Sequence, residues 1–326
     1  MPAEVVCLRP EADFARVGAL PPSALAVRYC GPADAELPAY LKTAQAMVIP
    51  AVGPKLPNDL FVDTALRLVQ VTGAGVDRIA PAALKGRGIA LANVPGGSNS
   101  AVAEYVLTSA SLLLRRLAAA DQELKAGRYV EWRARMLGAN LAGLEDALVG
   151  IIGLGVIGLA VARQAARCGC RVCYFDPASP HAAAAAELKA EATSLDELLS
   201  GADIVSLHVP LSPSTTGLIG ARELARMKAT AVLIQASRGG VVDEAALAAA
   251  LQEGRLAGAA VDVYSTEPPA ADNPLLCLTG EAQSRILLTP HIAGVTRQAS
   301  TYLFRTAWQN VARVLLDGKP PLHRVY

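Results

Sequence analysis

The sequence predicts an α/β protein of two domains, each a parallel sheet covered by helices. Three observations carry that expectation. The chain has 326 residues, more than one hydrophobic core usually organises. Short apolar runs alternate with helical or polar spacers in two separate series. The second series opens on a glycine-rich turn that follows a strand and begins a helix.

In the first series, Val5–Leu8, Ala24–Tyr29, Ala46–Ile49, Leu68–Thr72 and Ile89–Val94 read as buried strands. The spacers are long enough for crossovers, and Pro57–Ala65 and Asp77–Gly86 read as helices. From Asn99 to Arg128, Val102, Val106, Leu113 and Leu117 recur at helical spacing until Gly127 can end the helix, so one long helix is expected. The second series has six strands: Leu148–Ile152, Arg171–Phe175, Ile204–Val209, Ala231–Gln235, Gly258–Val263 and Ile286–Leu288, the pattern of a doubly wound sheet. Thr296–Leu316 is amphipathic, with Leu303, Ala307, Val311, Val314 and Leu315 on one side, and is expected to pack on the first domain.

Composition excludes several classes of function. Lys and Arg total 30 against 29 Asp and Glu, with no long run of one sign, so no footprint for nucleic acid or an anionic membrane is present. The uncharged stretch Ala147–Ala162 is shorter than a bilayer span of roughly 20 residues and is interrupted by glycines. The first residues show no basic segment, long apolar run and cleavage site, which makes a cytoplasmic location the expectation. Cys168, Cys170 and Cys173 resemble a metal cluster at first sight. Arg171–Phe175 has strand character, however, and residues three apart on a strand face opposite ways, so no metal site is expected.

Gly153-Leu154-Gly155-Val156-Ile157-Gly158 lies between a strand and a helix. In that context Gly153 permits the tight turn, Gly155 lets the backbone approach a pyrophosphate, and Gly158 lets the helix lie close to its strand. The helix start at Val156 and Ile157 adds free N–H groups and roughly half a positive charge. Asp176, at the end of the next strand, is placed to accept hydrogen bonds from an adenosine ribose; a capping role is its structural alternative. A 2′-phosphate about 4 Å from that carboxylate would be disfavoured by about 4 kcal/mol at an effective dielectric of 20. Even half that value favours NAD over NADP more than tenfold.

Three segments carry the chemistry: Ala236-Ser237-Arg238-Gly239-Gly240, Asp262-Val263-Tyr264-Ser265-Thr266-Glu267-Pro268 and Thr289-Pro290-His291-Ile292-Ala293-Gly294. Each follows a strand, which puts it at the carboxyl edge of the sheet, where open α/β proteins bind ligands. Hydride transfer from a 2-hydroxy acid needs a group to take the hydroxyl proton; a histidine side chain suits that task in general, and His291 is the candidate. It also needs a fixed cation for the carboxylate and carbonyl, for which the planar guanidinium of Arg238 is suited. Glu267 beside the imidazole would fix its tautomer and favour its charged form. Each residue alone also fits a hinge or capping role, so the assignment rests on their convergence.

With these motifs the chain resembles the D-isomer-specific 2-hydroxyacid dehydrogenases over nearly its whole length. The resemblance is carried by GLGVIG, the Asp176 region, His208-Val209-Pro210-Leu211, SRGG with VVDE, Glu267-Pro268 and TPHIAG. It implies two Rossmann-like domains: a doubly wound NAD domain, residues 100–292, inserted in a flavodoxin-like substrate domain, residues 1–99 and 293–326. It implies Arg238, Glu267 and His291 as the catalytic residues. Around the cofactor it implies Gly153, Gly155, Val156, Ile157, Gly158, Asp176, His208, Pro210, Thr216, Ala236, Ser237, Arg238, Asp262, His291 and Gly294. The turn Thr72–Asp77 resembles the family loop whose N–H groups help hold the substrate carboxylate, so Gly73, Ala74, Gly75 and Val76 join Arg238 and His291 as substrate-binding residues.

The resemblance also implies a homodimer, with the helix after Asn99 near the interface and Trp132–Leu137 reaching a partner's pocket, and a cleft that closes over substrate and cofactor. Ile49–Gly53 and Gly73–Val76 are expected to line the pocket. Glu267 speaks against the formate dehydrogenase branch, which pairs its histidine with glutamine, and Ala74 against the phosphite dehydrogenase branch, which carries lysine there. The end at Tyr326 speaks against a regulated phosphoglycerate dehydrogenase. A small 2-hydroxy or 2-oxo acid, glyoxylate or hydroxypyruvate first, is therefore the expected substrate. An NAD-sensing corepressor or a non-catalytic NAD-binding protein of the same fold is the alternative. Gln235, where asparagine is common, and the longer loop Cys277–Ser284 depart from the family pattern.

Overall fold

The computed structural model describes residues 2–178 and 180–326. The chain divides into two compact units, residues 1–98 with 295–326 and residues 99–294.

The first unit is built on five strands, β1 (Ala3–Cys7), β2 (Leu25–Tyr29), β3 (Ala46–Ile49), β4 (Leu68–Val71) and β5 (Ala90–Ala92). All pair in parallel in the order β2-β1-β3-β4-β5, the flavodoxin-like arrangement. β3 and β4 are buried along their whole length, as strands covered on both faces must be. One face packs around Leu37, Phe61 and Leu84, the other against the helix Arg297–Leu315. Thr296 caps that helix by accepting from the Ala299 N–H at 3.1 Å. Its buried face includes Ala307, Val311 and Val314 together with Phe304 and Trp308, which pack on Phe14.

The second unit has seven parallel strands, one more than the sequence suggests: β6 (Leu148–Ile152), β7 (Arg171–Phe175), β8 (Glu191–Ala192), β9 (Ile204–Leu207), β10 (Val232–Gln235), β11 (Gly258–Val261) and β12 (Ile286–Leu288). The order β12-β11-β10-β9-β6-β7-β8 reverses between β6 and β9, making this a doubly wound Rossmann sheet. The two-residue β8 is exposed at the sheet edge and too short to form an apolar run that would announce it. The Ala147–Ala162 stretch is β6, its turn and the first half of the helix Val156–Arg167. No helix among the described residues is long and apolar enough to cross a membrane. Cys170 and Cys173 belong to different apolar cores, on opposite faces of the sheet. Burial pushes both thiols up to about 11.

Three helix expectations need correction, the first being Asp77–Gly86, which is helical only over Pro81–Lys85 after the extended Ala80. Pro57–Ala65 forms only a 3-10 turn over Asn58–Phe61, because Val62 turns to extended backbone, φ −80° and ψ 139°, and Asp63 after it takes a left-handed φ of 51°. The long helix over Asn99–Arg128 is two helices, Asn99–Leu114 and Leu117–Lys125, broken at Arg116, whose φ is also 51°. A third helix, Tyr129–Gly138, has no buried residue, which is why apolar periodicity does not reveal it.

Candidate active site

The glycine turn after β6 is tight on two sides and open on the third. A Cβ at Gly158 would lie 2.1 Å from the Gly153 carbonyl oxygen, and one at Gly153 2.7 Å from the His208 carbonyl oxygen. Gly153 itself has a φ of +94°, which side chains rarely adopt. At Gly155 an added Cβ meets nothing within 4 Å. Gly155 caps the helix, so the N–H groups of Val156, Ile157 and Gly158 are its first, without intrahelical acceptors. Val156 is exposed and Ile157 half-buried. This is a cradle shaped for an anion brought close to backbone.

Asp176 lies at the end of β7, beside that turn. Its Oδ2 accepts from the Leu154 N–H at 2.7 Å and its Oδ1 from the Ala178 N–H at 2.8 Å. The carboxylate thus organises the glycine turn. His208, just after β9, binds Ser206 Oγ through Nε2 at 2.8 Å, while its buried Nδ1 has no hydrogen-bond partner among the described residues. The residue keeps some surface, but its ring nitrogens do not, and burial pushes its pKa down to about 4. An orphaned ring nitrogen next to the glycine cradle is consistent with a site completed by a bound group. Pro210 and Thr216 stand in the following loop, where the Pro210 carbonyl accepts from Thr215 Oγ1 and Thr216 Oγ1 donates to the Ser212 carbonyl. The adjacent Gly217 N–H donates to the Gly240 carbonyl at 2.8 Å, tying that loop to the arginine turn.

The arginine turn follows β10. Gln235, 2% exposed, donates from Nε2 to the Arg238 carbonyl at 2.9 Å and accepts from Ser237 Oγ at 2.8 Å. The departure from asparagine therefore leaves a side chain that shapes the turn. Ala236 is half-buried and Ser237 buried, and Arg238 Nη1 donates to the Ser237 carbonyl at 2.7 Å. A Cβ at Gly239 would sit 1.8 Å from the Tyr264 carbonyl oxygen, so only glycine lets this turn lie against the loop after β11.

That loop and the one after β12 are held together by Asp262, which is 1% exposed. Its Oδ1 accepts from Thr289 Oγ1 at 2.6 Å and the Ile292 N–H at 2.8 Å; its Oδ2 accepts from the Ala293 N–H at 2.8 Å. The Asp262 carbonyl accepts from the His291 N–H at 2.8 Å. Tyr264 adds a hydroxyl bond to the Thr289 carbonyl at 3.0 Å, and Tyr105 OH lies 2.8 Å from Thr289 Oγ1. Burial raises the pKa of both tyrosines, Tyr264 to about 12, so both hydroxyls stay protonated. Fixed in this way, His291 takes a φ of 55° and its Nδ1 lies 2.8 Å from Glu267 Oε2 and 3.1 Å from Oε1. Glu267 Oε1 also accepts from the Tyr264 N–H at 3.1 Å. Gly294 closes the same turn.

The sequence profile of the D-isomer specific 2-hydroxyacid dehydrogenase NAD binding domain matches residues 107–293. The chain belongs to the D-isomer specific 2-hydroxyacid dehydrogenase family. It is 40% identical over 251 residues to the (S)-sulfolactate dehydrogenase of Chromohalobacter salexigens, covering 77% of this chain and 78% of that protein. With the glyoxylate reductase of Korarchaeum cryptofilum it shares 36% identity over 258 residues, 78% of this chain and 75% of the relative. The D-3-phosphoglycerate dehydrogenase of Archaeoglobus fulgidus is 37% identical over 234 residues, 72% of this chain but only 42% of that longer protein. The chain spans about half the length of the phosphoglycerate dehydrogenases it matches. The crystal structure of the Rhodotorula graminis D-mandelate dehydrogenase superposes with a TM-score of 0.84 at 25% identity, covering 100% of this chain and 98% of that one.

Within this family member the matched NAD binding domain is thus the second unit's Rossmann sheet, with the glycine cradle at its switch point. Sequence reasoning missed three residues of the site: Tyr105, Tyr264 and Thr289, whose hydroxyls buttress the histidine loop. Thr289 and Tyr264 stand inside the motifs that drew attention, but nothing in the pattern marks them as hydrogen-bonding residues. Tyr105 sits on the helix Asn99–Leu114, far in sequence from the loops it supports.

In the first unit, Gly73–Val76 form the turn after β4. Its conformation is tied by Val94 N–H to the Gly73 carbonyl at 2.9 Å and Asn93 Nδ2 to the Ala74 carbonyl at 2.7 Å. The N–H groups of Gly73, Ala74, Gly75 and Val76 meet no acceptor among the described residues.

Proposed function

We propose that the protein is an NAD-dependent dehydrogenase that interconverts a small D-2-hydroxy acid and its 2-oxo acid, with glyoxylate or hydroxypyruvate the first candidates. The observation that carries the reading is the bond between His291 Nδ1 and the Glu267 carboxylate. It turns Nδ1 inward and leaves Nε2 as the nitrogen that exchanges a proton with the substrate oxygen. Glu267 stabilises the imidazolium that proton uptake creates. Arg238 supplies the permanent cation for the substrate carboxylate and carbonyl, and the Gly73–Val76 N–H groups are further donors to the carboxylate.

NAD, when bound, supplies or takes the hydride. Gly153, Gly155, Val156, Ile157 and Gly158 would hold its pyrophosphate and Asp176 its adenosine ribose, with His208, Pro210, Thr216, Ala236, Ser237, Asp262 and Gly294 around the rest. The molecule is further proposed to be a cytoplasmic homodimer. The helical segment Leu117–Gly138 exposes Leu124, Tyr129, Val130 and Leu137, an apolar set that a second copy would cover. The experiment is NADH oxidation at 340 nm across a panel of 2-oxo acids, repeated with NADPH. Turnover of glyoxylate or hydroxypyruvate with NADH is expected; inertness across the whole panel would reduce the protein to a binding role.

A further inference from the structure

Arg78 is a buried cation in the first unit to which the chemistry assigned above gives no part. It is 4% exposed and forms no ion pair with any described carboxylate. Instead its Nε donates to the Pro54 carbonyl at 2.9 Å and its Nη1 to the Pro50 carbonyl at 3.1 Å. Its own carbonyl accepts from the Leu56 N–H at 2.8 Å. One residue thus grips the Pro50–Leu56 loop at three points, beginning immediately after β3. The loop yields to it: Gly53 has a φ of +134°, and a Cβ there would lie 3.2 Å from the Arg78 guanidinium carbon. On the other side, a Cβ at Gly73 would lie 2.8 Å from Ala51 Cβ, so the loop abuts the Gly73–Val76 turn.

The peptide plane converts that grip into chemistry. In a trans peptide the carbonyl and the next N–H point opposite ways. Carbonyls of Pro50 and Pro54 drawn to the guanidinium therefore turn the N–H groups of Ala51 and Lys55 away from it. Neither N–H meets an acceptor among the described residues. The loop lies at the carboxyl edge of the sheet, beside the turn proposed to hold the substrate carboxylate. We propose that Arg78 is a positioning residue for substrate specificity, fixing the Ala51 and Lys55 N–H groups as donors to an oxygen carried at C3 of the 2-oxo acid. The inference rests on the function proposed above and names the substrate class within it: 2-oxo acids with a C3 oxygen, of which hydroxypyruvate is the simplest.

Glyoxylate has no C3, so it is the internal control. In the Arg78→Met enzyme, kcat/KM for hydroxypyruvate is expected to fall about tenfold, mainly through KM, while that for glyoxylate stays within about twofold and NADH affinity is unchanged. Arg78→Lys, which keeps the charge but cannot hold two carbonyls in one plane, is expected to give the same selective loss. If the Arg78→Met enzyme does not fold, Gly53→Ala tests the same contact by pressing on the guanidinium. Equal losses for both acids, or none for either, overturn the inference while leaving the proposed function standing. Wild-type protein inert toward hydroxypyruvate but active on another 2-oxo acid overturns the inference alone; inertness toward the whole 2-oxo acid panel overturns the proposed function, and the inference with it.

Discussion

The imidazole of His291 and the carboxylate of Glu267 meet at 2.8 Å although each stands on a loop following a different strand, β12 and β11. Parallel pairing makes those strands neighbours and brings their carboxyl ends to one edge. Asp262 then fixes the spacing, because it belongs to the loop after β11 and receives three donors from the loop after β12. The pair is therefore set by backbone anchoring and does not depend on a chance meeting of two side chains.

Glu267→Gln keeps the shape and removes the charge. A neutral amide no longer stabilises the imidazolium, so turnover is expected to fall about a hundredfold, with NADH binding and thermal stability nearly unchanged. Steady-state kinetics with the best oxo acid checks this. Undiminished turnover would make the contact structural only.

The glycine turn permits a sharper separation of fold from cofactor binding. Gly158→Ala places a methyl group 2.1 Å from the Gly153 carbonyl and is expected to destabilise the protein by several kcal/mol. Gly155→Ala meets nothing within 4 Å, so the fold should hold while NADH affinity falls at least tenfold, the methyl standing where the pyrophosphate approaches. Thermal melts and NADH fluorescence titration distinguish the two. Full NADH affinity in the Gly155 variant would remove the cradle from the binding site.

What the sequence disclosed and what it concealed follow from the range of the forces involved. Strand-and-helix alternation and the glycine spacing are local, and they led directly to β6, its turn and the helix Val156–Arg167. Glu267 and His291 could be paired because each follows a strand of one sheet. The break at Arg116 was hidden, since Val102, Val106, Leu113 and Leu117 keep helical spacing across it and only backbone conformation interrupts them. Asp262 reads from the sequence as a cofactor residue, yet its carboxylate oxygens accept from Thr289, Ile292 and Ala293, all on the His291 loop. Such a role depends on where the chain returns 30 residues later, and no local pattern encodes it. The same is true of Arg78.

Asp176 has two separable duties. Its bond to the Leu154 N–H orders the glycine turn, and its charge opposes a 2′-phosphate. Asp176→Asn keeps an acceptor for the first and removes the second. The expected result is a preference for NADH over NADPH reduced more than tenfold, chiefly through a lower KM for NADPH. Ratios of kcat/KM for the two coenzymes measure it, and an unchanged ratio would assign discrimination to other residues.

His208 makes stability depend on pH in a defined direction. Its folded-state pKa, about 4, lies below the ordinary 6.5 because its ring nitrogens are desolvated. Above pH 6.5 the ring is neutral in both folded and unfolded chains and contributes no pH dependence. Between 6.5 and 4 the unfolded chain takes up the proton first, so stability falls as pH falls, by up to about 3 kcal/mol for this group. His208→Asn removes the titration, and the variant is expected to lose less stability than wild type between about pH 7 and about pH 5. Urea unfolding at those two pH values measures the difference. Bound NADH should protect the wild type further if the orphaned Nδ1 lies in the cofactor site, since a ligand that binds only the folded form raises its stability. Parallel acid sensitivity in wild type and variant would place the titrating group elsewhere.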